Sequence, residues 1–384
     1  MKQIIKLVIV FVIMIQSDAL KGQKIREQDQ YYLYVGAYTQ GEDEGIYLYR
    51  FNADDGSLHY LNTTEDVKNP SYLAIDPKRN LLIAVNETEE FEGNQSGAVT
   101  SFLIKPLDGS LQKLSQVASG GSSPCYVSIN KNGSHAFVAN YSGGNVAVFP
   151  ILSNGVMKPY SDLKQHQGSG PVDGRQNGPH AHSIVLSPDA HFALAADLGI
   201  DQVISYGINE KEGTLEHKNE FNLTPGSGPR HLVFHQNKKL AFIISELNST
   251  ISSCTYDSKT GKLTQVMTVS TLPEGFEGTN SCADIHISPD GRFLYGSNRG
   301  HDSIVIFAID QKTGKLEYVD HRSVNGKTPR NFIIDPTGKF LLAANQDSNN
   351  IVVFKIDKVT GKLKTNGVEV QVSKPVCLKM MLIE

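Results

Sequence analysis

The sequence predicts an all-β fold, a seven-bladed β-propeller of four-stranded blades. Three observations predict it. A motif of two short apolar strands recurs six times at a spacing near 50 residues, no segment carries a helical apolar period, and the two chain ends complete each other.

The repeat comes first. Pro70–Asn86, Pro124–Asn140, His182–Asp197, Pro229–Glu246, Cys282–Asn298 and Pro329–Asn345 align one under another. Each reads as an apolar strand, a polar turn often written Asp/Ser-Pro-x-Gly, and a second apolar strand closing on Asn, Asp or Glu. The turn falls at positions 77, 131, 188, 236, 289 and 336, so the gaps are 54, 57, 48, 53 and 47 residues. Two further strands follow in most units, as in Ser303–Asp310 and Leu316–Val319 on either side of the Lys312–Lys315 turn. Four strands per period, rich in β-branched and aromatic residues, are the mark of a propeller blade.

The ends come next. Residues 31–61 supply a second, third and fourth strand without a first, and Pro375–Ile383 reads as a first strand with nothing after it. Together they make the seventh blade and close a ring with no free edge. A solenoid is the alternative, but neither end carries a capping unit.

Composition sets outer bounds. The 384 residues carry a net charge of −4 with the charges dispersed, so no basic block points to nucleic acid. The 34 glycines suit a chain with many tight turns. Cys125, Cys254, Cys282 and Cys377 are far apart and lack C-x-x-C spacing, so they read as buried free thiols. At the N-terminus, Lys2 and Lys6 precede an apolar run, Leu7–Ile15, which is too short to cross a bilayer as a helix. It reads as a signal peptide over residues 1–22, ahead of a single propeller domain over 23–384. A buried N-terminal strand or an uncleaved anchor is the structural alternative. The expected location is exported, periplasmic or secreted, with no membrane span once the signal is removed.

In a propeller, the first strand of each blade lines the channel, and its start meets the end of the second strand at one face. Aligned on the turn, the first-strand starts are Ser71, Cys125, His182, Arg230, Ala283, Arg330 and Val376. The second-strand ends are Ala37, Asn86, Asn140, Asp197, Glu246, Asn298 and Asn345, and Arg299 follows directly on Asn298. The recurring Asn and Asp residues fit a structural task, satisfying backbone groups at the rim. His182, Arg230, Glu246 and Arg299 break the repeat and fall in three successive blades. They are therefore expected to converge on one sector of the mouth, as a reactive set or as a buried Arg–Glu–Arg network. Two glycine-rich stretches, 165–182 and 224–231, lead into that sector and can close over a ligand or merely connect blades. His180 and His182 lack an acidic third ligand nearby, so no metal or other cofactor is expected. A Ca²⁺ held by Asp197, Glu246 and the Asn ring is the alternative that the neighbouring arginines oppose.

These motifs carry a family resemblance. Gly168–Pro171 and the Arg175–Ser183 run, Ala196–Gly199, Gly226–His235 and Ser245–Leu247 together resemble the propeller lactonases. That family holds bacterial 6-phosphogluconolactonases and fungal carboxymuconate cyclases. The likeness covers residues 31 to 384. It implies that His182, Arg230, Glu246 and Arg299 are the catalytic set, with Arg299 the loosest match, and that the substrate is a small anionic lactone. Arg175, His180, His231 and Arg330 are expected as substrate-binding neighbours. In the implied hydrolysis, Arg230 and Arg299 hold the substrate's anion or the oxyanion. His182 or Glu246 draws the proton from water and the other serves as acid to the leaving alkoxide; His182 is the favoured base, on the ground that an imidazole titrates near neutrality, while Glu246 stays ionised among arginines. Cycloisomerisation of a muconate, using Arg330 and Arg175 as extra cations, is the rival enzymatic reading, and a non-enzymatic secreted binding platform is the third. Export sits awkwardly with a sugar phosphate, which is a cytoplasmic metabolite.

Overall fold

A computed structural model describes residues 30–41 and 44–383. The signal-peptide expectation therefore lies outside the described residues. Within them the chain forms seven sheets of four antiparallel strands, and the only helical element is a 3-10 turn at Leu198–Ile200. No described helix is long and apolar enough to cross a membrane.

Blades are numbered here from the first strand that starts at Tyr72. The inner strands of blades 1 to 6 are Tyr72–Asp76, Pro124–Ile129, Ala181–Leu186, Pro229–Phe234, Ser281–Ile287 and Pro329–Ile334. Blade 7 is built from both ends of the chain. Its inner strand, Pro375–Leu382, pairs antiparallel with Gln30–Ala37, from Tyr31 opposite Leu382 to Ala37 opposite Pro375.

Burial explains the residue patterns. The second strands Leu81–Asn86, His135–Asn140, Phe192–Asp197, Leu240–Ser245 and Phe340–Asn345 are buried at every residue. Both of their faces are covered by neighbouring blades, so they read as unbroken apolar runs rather than alternating ones. The outermost strands, such as Leu363–Gln371, alternate instead because one face meets water. Between blades 6 and 7, Phe51 and Phe340 pack edge to face with ring centroids 5.8 Å apart. All four cysteines are buried and free.

The recurring Asn residues do the structural task expected of them. Asn86, Asn140, Asn298 and Asn345 each donate from Nδ2 to a backbone carbonyl just past the preceding blade, at Lys68, Ser119, Thr271 and Val324 respectively. They pin each blade to the chain that enters it.

One further regularity matters for the site. At the start of the inner strands, the ladder skips a residue opposite the second strand. The unpaired residues are Cys125, His182, Arg230, Arg330 and Val376, and in blade 5 the pair Ala283–Asp284. A bulge of this kind re-aims a side chain. Here it recurs at the channel mouth, blade after blade.

Candidate active site

The bulges and the second-strand ends surround a cavity of about 400 Å³ at the mouth of the channel. Every blade contributes a wall. Glu87 comes from blade 1, Cys125 and Tyr141 from blade 2, and His182 from blade 3. Glu246 comes from blade 4, Ser281 and Arg299 from blade 5, Arg330 from blade 6 and Tyr38 from blade 7. Arg175 reaches in from the long connection between blades 2 and 3.

Strand pairing corrects the alignment of Glu246. Pro229 pairs with Ser245, as Pro124 pairs with Asn140 and Pro329 with Asn345. Ser245, not Glu246, therefore holds the place of the structural Asn. Glu246 occupies the next position, in register with Tyr38, Glu87, Tyr141 and Arg299. This is the position that faces the cavity. Tyr38, Glu87 and Tyr141 were missed because the sequence alignment stopped one residue early. Reading the residue that follows each ladder partner of the inner-strand start would have found them.

Glu246 is the hub. Its Oε2 accepts from Arg230 Nε at 3.0 Å and pairs with Arg299 at 2.7 Å, while Oε1 pairs with Arg175 at 2.6 Å. Burial alone would raise its pKa, but Arg299 and then Arg230 outweigh burial and hold the carboxyl well below the usual carboxylate range. The arginines differ in how they are held. Arg230 is 2% exposed and lies beneath the cavity rather than on its wall, with a second bond to Ala283 O at 2.6 Å. Burial, then Arg299 and Arg330, lower its pKa to about 10, so it stays charged at neutral pH. Arg299 spends one nitrogen on Glu246 and on Cys282 O, while its buried Nε has no partner. Arg330 lies over the Tyr38 ring at 5.2 Å and forms no hydrogen bond or ion pair with the described residues.

His182 sits on the wall with Nδ1 3.6 Å from Cys125 Sγ, edge to face with Tyr141 and His231. Here the structure corrects the sequence reading. Burial, then Arg230 and His231, push the imidazole well below the ordinary histidine range, so it does not titrate near neutrality but stays neutral through it. Burial also pushes the Cys125 thiol up, which leaves it protonated and a poor nucleophile.

Two expected substrate-binding residues lie behind the wall. His180 stacks on Tyr141 with ring centroids 4.5 Å apart, and its backbone N–H donates to Asp197 Oδ1 at 2.7 Å. His231 lies under Arg230, with Nε2 3.2 Å from Arg230 NH1 and Nδ1 2.8 Å from Asp284 Oδ1. Burial and then Arg230 lower its pKa to about 4. A neutral ring that donates from Nδ1 to Asp284 leaves Nε2 free to accept from Arg230. Asp284, His231, Arg230 and Glu246 thus form one chain of contacts from the channel interior to the mouth.

The two glycine-rich stretches are tied together by Asp201, which the sequence reading did not single out. Its carboxylate accepts from Gly226 N and Gly228 N, each at 2.7 Å, and from Gln176 Nε2 at 2.8 Å. Gln176 neighbours Arg175, so this tie places the arginine. Gly199 lets the strap pass, since a Cβ there would sit 1.9 Å from Gly178 O. Among the described residues, no group of three or more His, Cys, Asp or Glu side chains is arranged to hold a metal ion.

Comparisons with known proteins agree with this architecture. The family model "Lactonase, 7-bladed beta-propeller" matches residues 32–380. The 6-phosphogluconolactonase of Bacillus subtilis (strain 168) is 35% identical over 306 residues, covering 80% of this chain and 85% of that protein. That of Formosa agariphila is 36% identical over 309 residues, covering 79% and 86%. Among solved structures, the periplasmic gluconolactonase of Pseudomonas aeruginosa is 37% identical with a TM-score of 0.87, covering 92% of this chain and 100% of that one. The chain is therefore a member of the seven-bladed β-propeller lactonase family.

Proposed function

We propose that this protein hydrolyses a sugar lactone in the cavity at the channel mouth. Water adds to the lactone carbonyl, the ring C–O bond breaks, and a hydroxy acid leaves as its carboxylate with release of one proton. The observation that carries the reading is the meeting of a neutral His182 with Glu246, Arg175 and Arg299 around one small cavity. The names of the relatives support the same chemistry.

His182 is the general base. Its neutral form is the one that can take a proton from water, and it is present at neutral pH without any preceding deprotonation. The arginines suppress its protonation in the empty site, and the negative charge that develops on the lactone oxygen relieves that suppression. Arg299 and Arg175 face the place where the oxyanion forms and act as its donors. Glu246 works through them. As an ionised carboxylate it holds both guanidiniums in place, so they need not reorganise during the reaction.

Purified protein should release acid from gluconolactone or 6-phosphogluconolactone faster than the spontaneous rate. His182→Ala should lower kcat/KM by roughly 10²–10⁴-fold, the contribution of a positioned base. Glu246→Gln, which frees three arginines, should cost about 10²-fold or more. Wild-type rates in both variants would exclude this assignment.

A further inference from the structure

We infer that the face opposite the mouth docks on an anionic lipid bilayer and so holds the cavity toward the solution. Docking of this kind does not depend on hydrolysis at the mouth.

The topology places the surface. The mouth lies where the inner strands start and the second strands end. In an antiparallel blade, the first-to-second and third-to-fourth turns therefore both lie at the other face. Hydrogen bonds tie the first-to-second turn of one blade to the third-to-fourth turn of the next. Asn237 Nδ2 donates to Gln311 O at 3.0 Å, Lys339 Nζ to Ala53 O at 3.1 Å, and the Arg292 guanidinium to Lys358 O. The turns of this face are thus held as one array.

Positive charge is concentrated there. Blades 4, 5 and 6 repeat one third-to-fourth turn, Asp257–Lys262, Asp310–Lys315 and Asp357–Lys362, each with an Asp, a Thr-Gly pair and two lysines. Gly261, Gly314 and Gly361 take φ of 73°, 77° and 74°, so the three turns bend alike. Each Asp is drawn into its own turn, accepting from the backbone N–H two residues on, at 2.9, 2.9 and 2.8 Å. The six lysines are exposed. Nearby ion pairs join Arg292 to Asp290 and Lys339 to Asp54, and none among the described residues takes up any of the six. Over the six turns of these blades, 235–239, 257–262, 288–292, 310–315, 335–339 and 357–362, ten Lys and Arg stand against five Asp. The chain as a whole carries −4, so the excess is local. At the mouth, the connection 87–97 carries four Glu and no Lys or Arg. An anionic surface therefore attracts one face and repels the other.

The apolar tips decide what kind of anionic surface fits. Leu107 is 95% exposed and Val359 is 80% exposed, the two most exposed large hydrophobic side chains among the described residues. Val359 lies between Lys358 and Lys362, and Leu107 follows Lys105 and Pro106 in the matching turn of blade 1. A soluble polyanion offers Leu and Val nothing. At a bilayer, apolar tips enter the acyl boundary while lysines stay with the phosphates.

The test is sedimentation of the full protein at low salt with vesicles of phosphatidylcholine, alone or mixed equally with phosphatidylglycerol. The mixed vesicles should bind it and the neutral ones should not. Salt at about 1 M, which screens charges beyond about 3 Å, should release it. The triple variant Lys259→Gln, Lys312→Gln, Lys362→Gln should bind about tenfold or more weakly at an unchanged melting temperature. No binding to mixed vesicles, binding that ignores salt, or equal binding by the triple variant overturns the inference. Leu107→Ser with Val359→Ser should also weaken binding, and unchanged binding overturns the lipid assignment in favour of a soluble polyanion. A second measurement covers variants that fail to fold. The four native cysteines are buried, so a polarity-sensitive dye can be placed at Val359→Cys or at Glu90→Cys on the mouth side. Mixed vesicles should shift the dye to the blue at 359 and leave it unmoved at 90. No shift at 359, or a shift at 90, overturns the docking.

Discussion

A carboxylate that holds three arginines and an imidazole that refuses a proton define the chemistry available at the mouth. Each owes its state to the other groups nearby. The His182 ring is kept neutral by burial and by Arg230 and His231, and Glu246 is kept ionised by Arg299 and Arg230 against the pull of burial. A base whose pKa lies below the ordinary histidine value is lost only when the pH falls through that lowered value. The kcat/KM profile should therefore stay flat from about pH 8 down through about pH 6.5, where an unperturbed histidine would already be half protonated, and bend downward only below it. Initial rates across that range check this, and an acid limb with its midpoint between about 6 and 7 would exclude His182 in this state as the base. Beneath the cavity, Asp284 fixes the His231 ring, which gives Arg230 an acceptor on its buried side.

At the scale of elements, the repeated bulge and the two glycine-rich connections do the positioning. The bulge turns residues out of the ladder in six of the seven inner strands, and the connections bring Arg175 over the cavity. Asp201 holds both connections through three donors, two backbone and one side-chain, while 6% exposed. Asp201→Ala removes the acceptor of Gly226 N and Gly228 N and leaves Gln176 Nε2 only its bond to Leu198 O. It should lower stability by on the order of 2–4 kcal/mol and, by loosening the strap, raise KM more than it lowers kcat. Thermal melting and steady-state kinetics read the two effects separately. An unchanged KM would show that the strap does not depend on this tie to place Arg175. The same scale shows why one part of the site was hard to read. His182, Arg230 and Arg330 stood out in the sequence because the turn that anchors the alignment lies at a fixed distance from each. Glu246 came out one place off, and Tyr38, Glu87 and Tyr141 were passed over. In a strand a shift of one residue exchanges the two faces, and only the ladder partner settles which residue faces the cavity.

For the molecule as a whole, the ring depends on its closure. Seven blades surround the cavity and each contributes to it, so an open ring has no site. The closing strand pairs along Tyr31–Ala37 and also offers Leu378 N to Asn331 Oδ1 at 2.7 Å, which ties blade 7 to blade 6. A chain ending at Lys374 loses that strand and exposes the edge of Gln30–Ala37, whose residues Leu33, Tyr34 and Val35 are fully buried in the ring. Such an edge is a template for pairing with other chains. The truncated protein should elute as aggregates on size exclusion and be cut rapidly by protease. A monomeric, resistant product would show that six complete blades and a partial seventh suffice.

Period, strand count, closure of the ring and the identity of three bulge residues were all written in the sequence. These follow from local pattern, meaning apolar runs, turn residues and their spacing, and such patterns repeat whenever the same unit is built again. The state of the site was decided by the tertiary structure alone. Which arginines are occupied and which is free, that His182 is neutral rather than poised at neutrality, and that Asp201 joins two distant loops all depend on side chains 16 to 292 residues apart meeting in one low-dielectric space. Charge–charge coupling and desolvation are set by distance and burial, and neither can be read from positions along a chain.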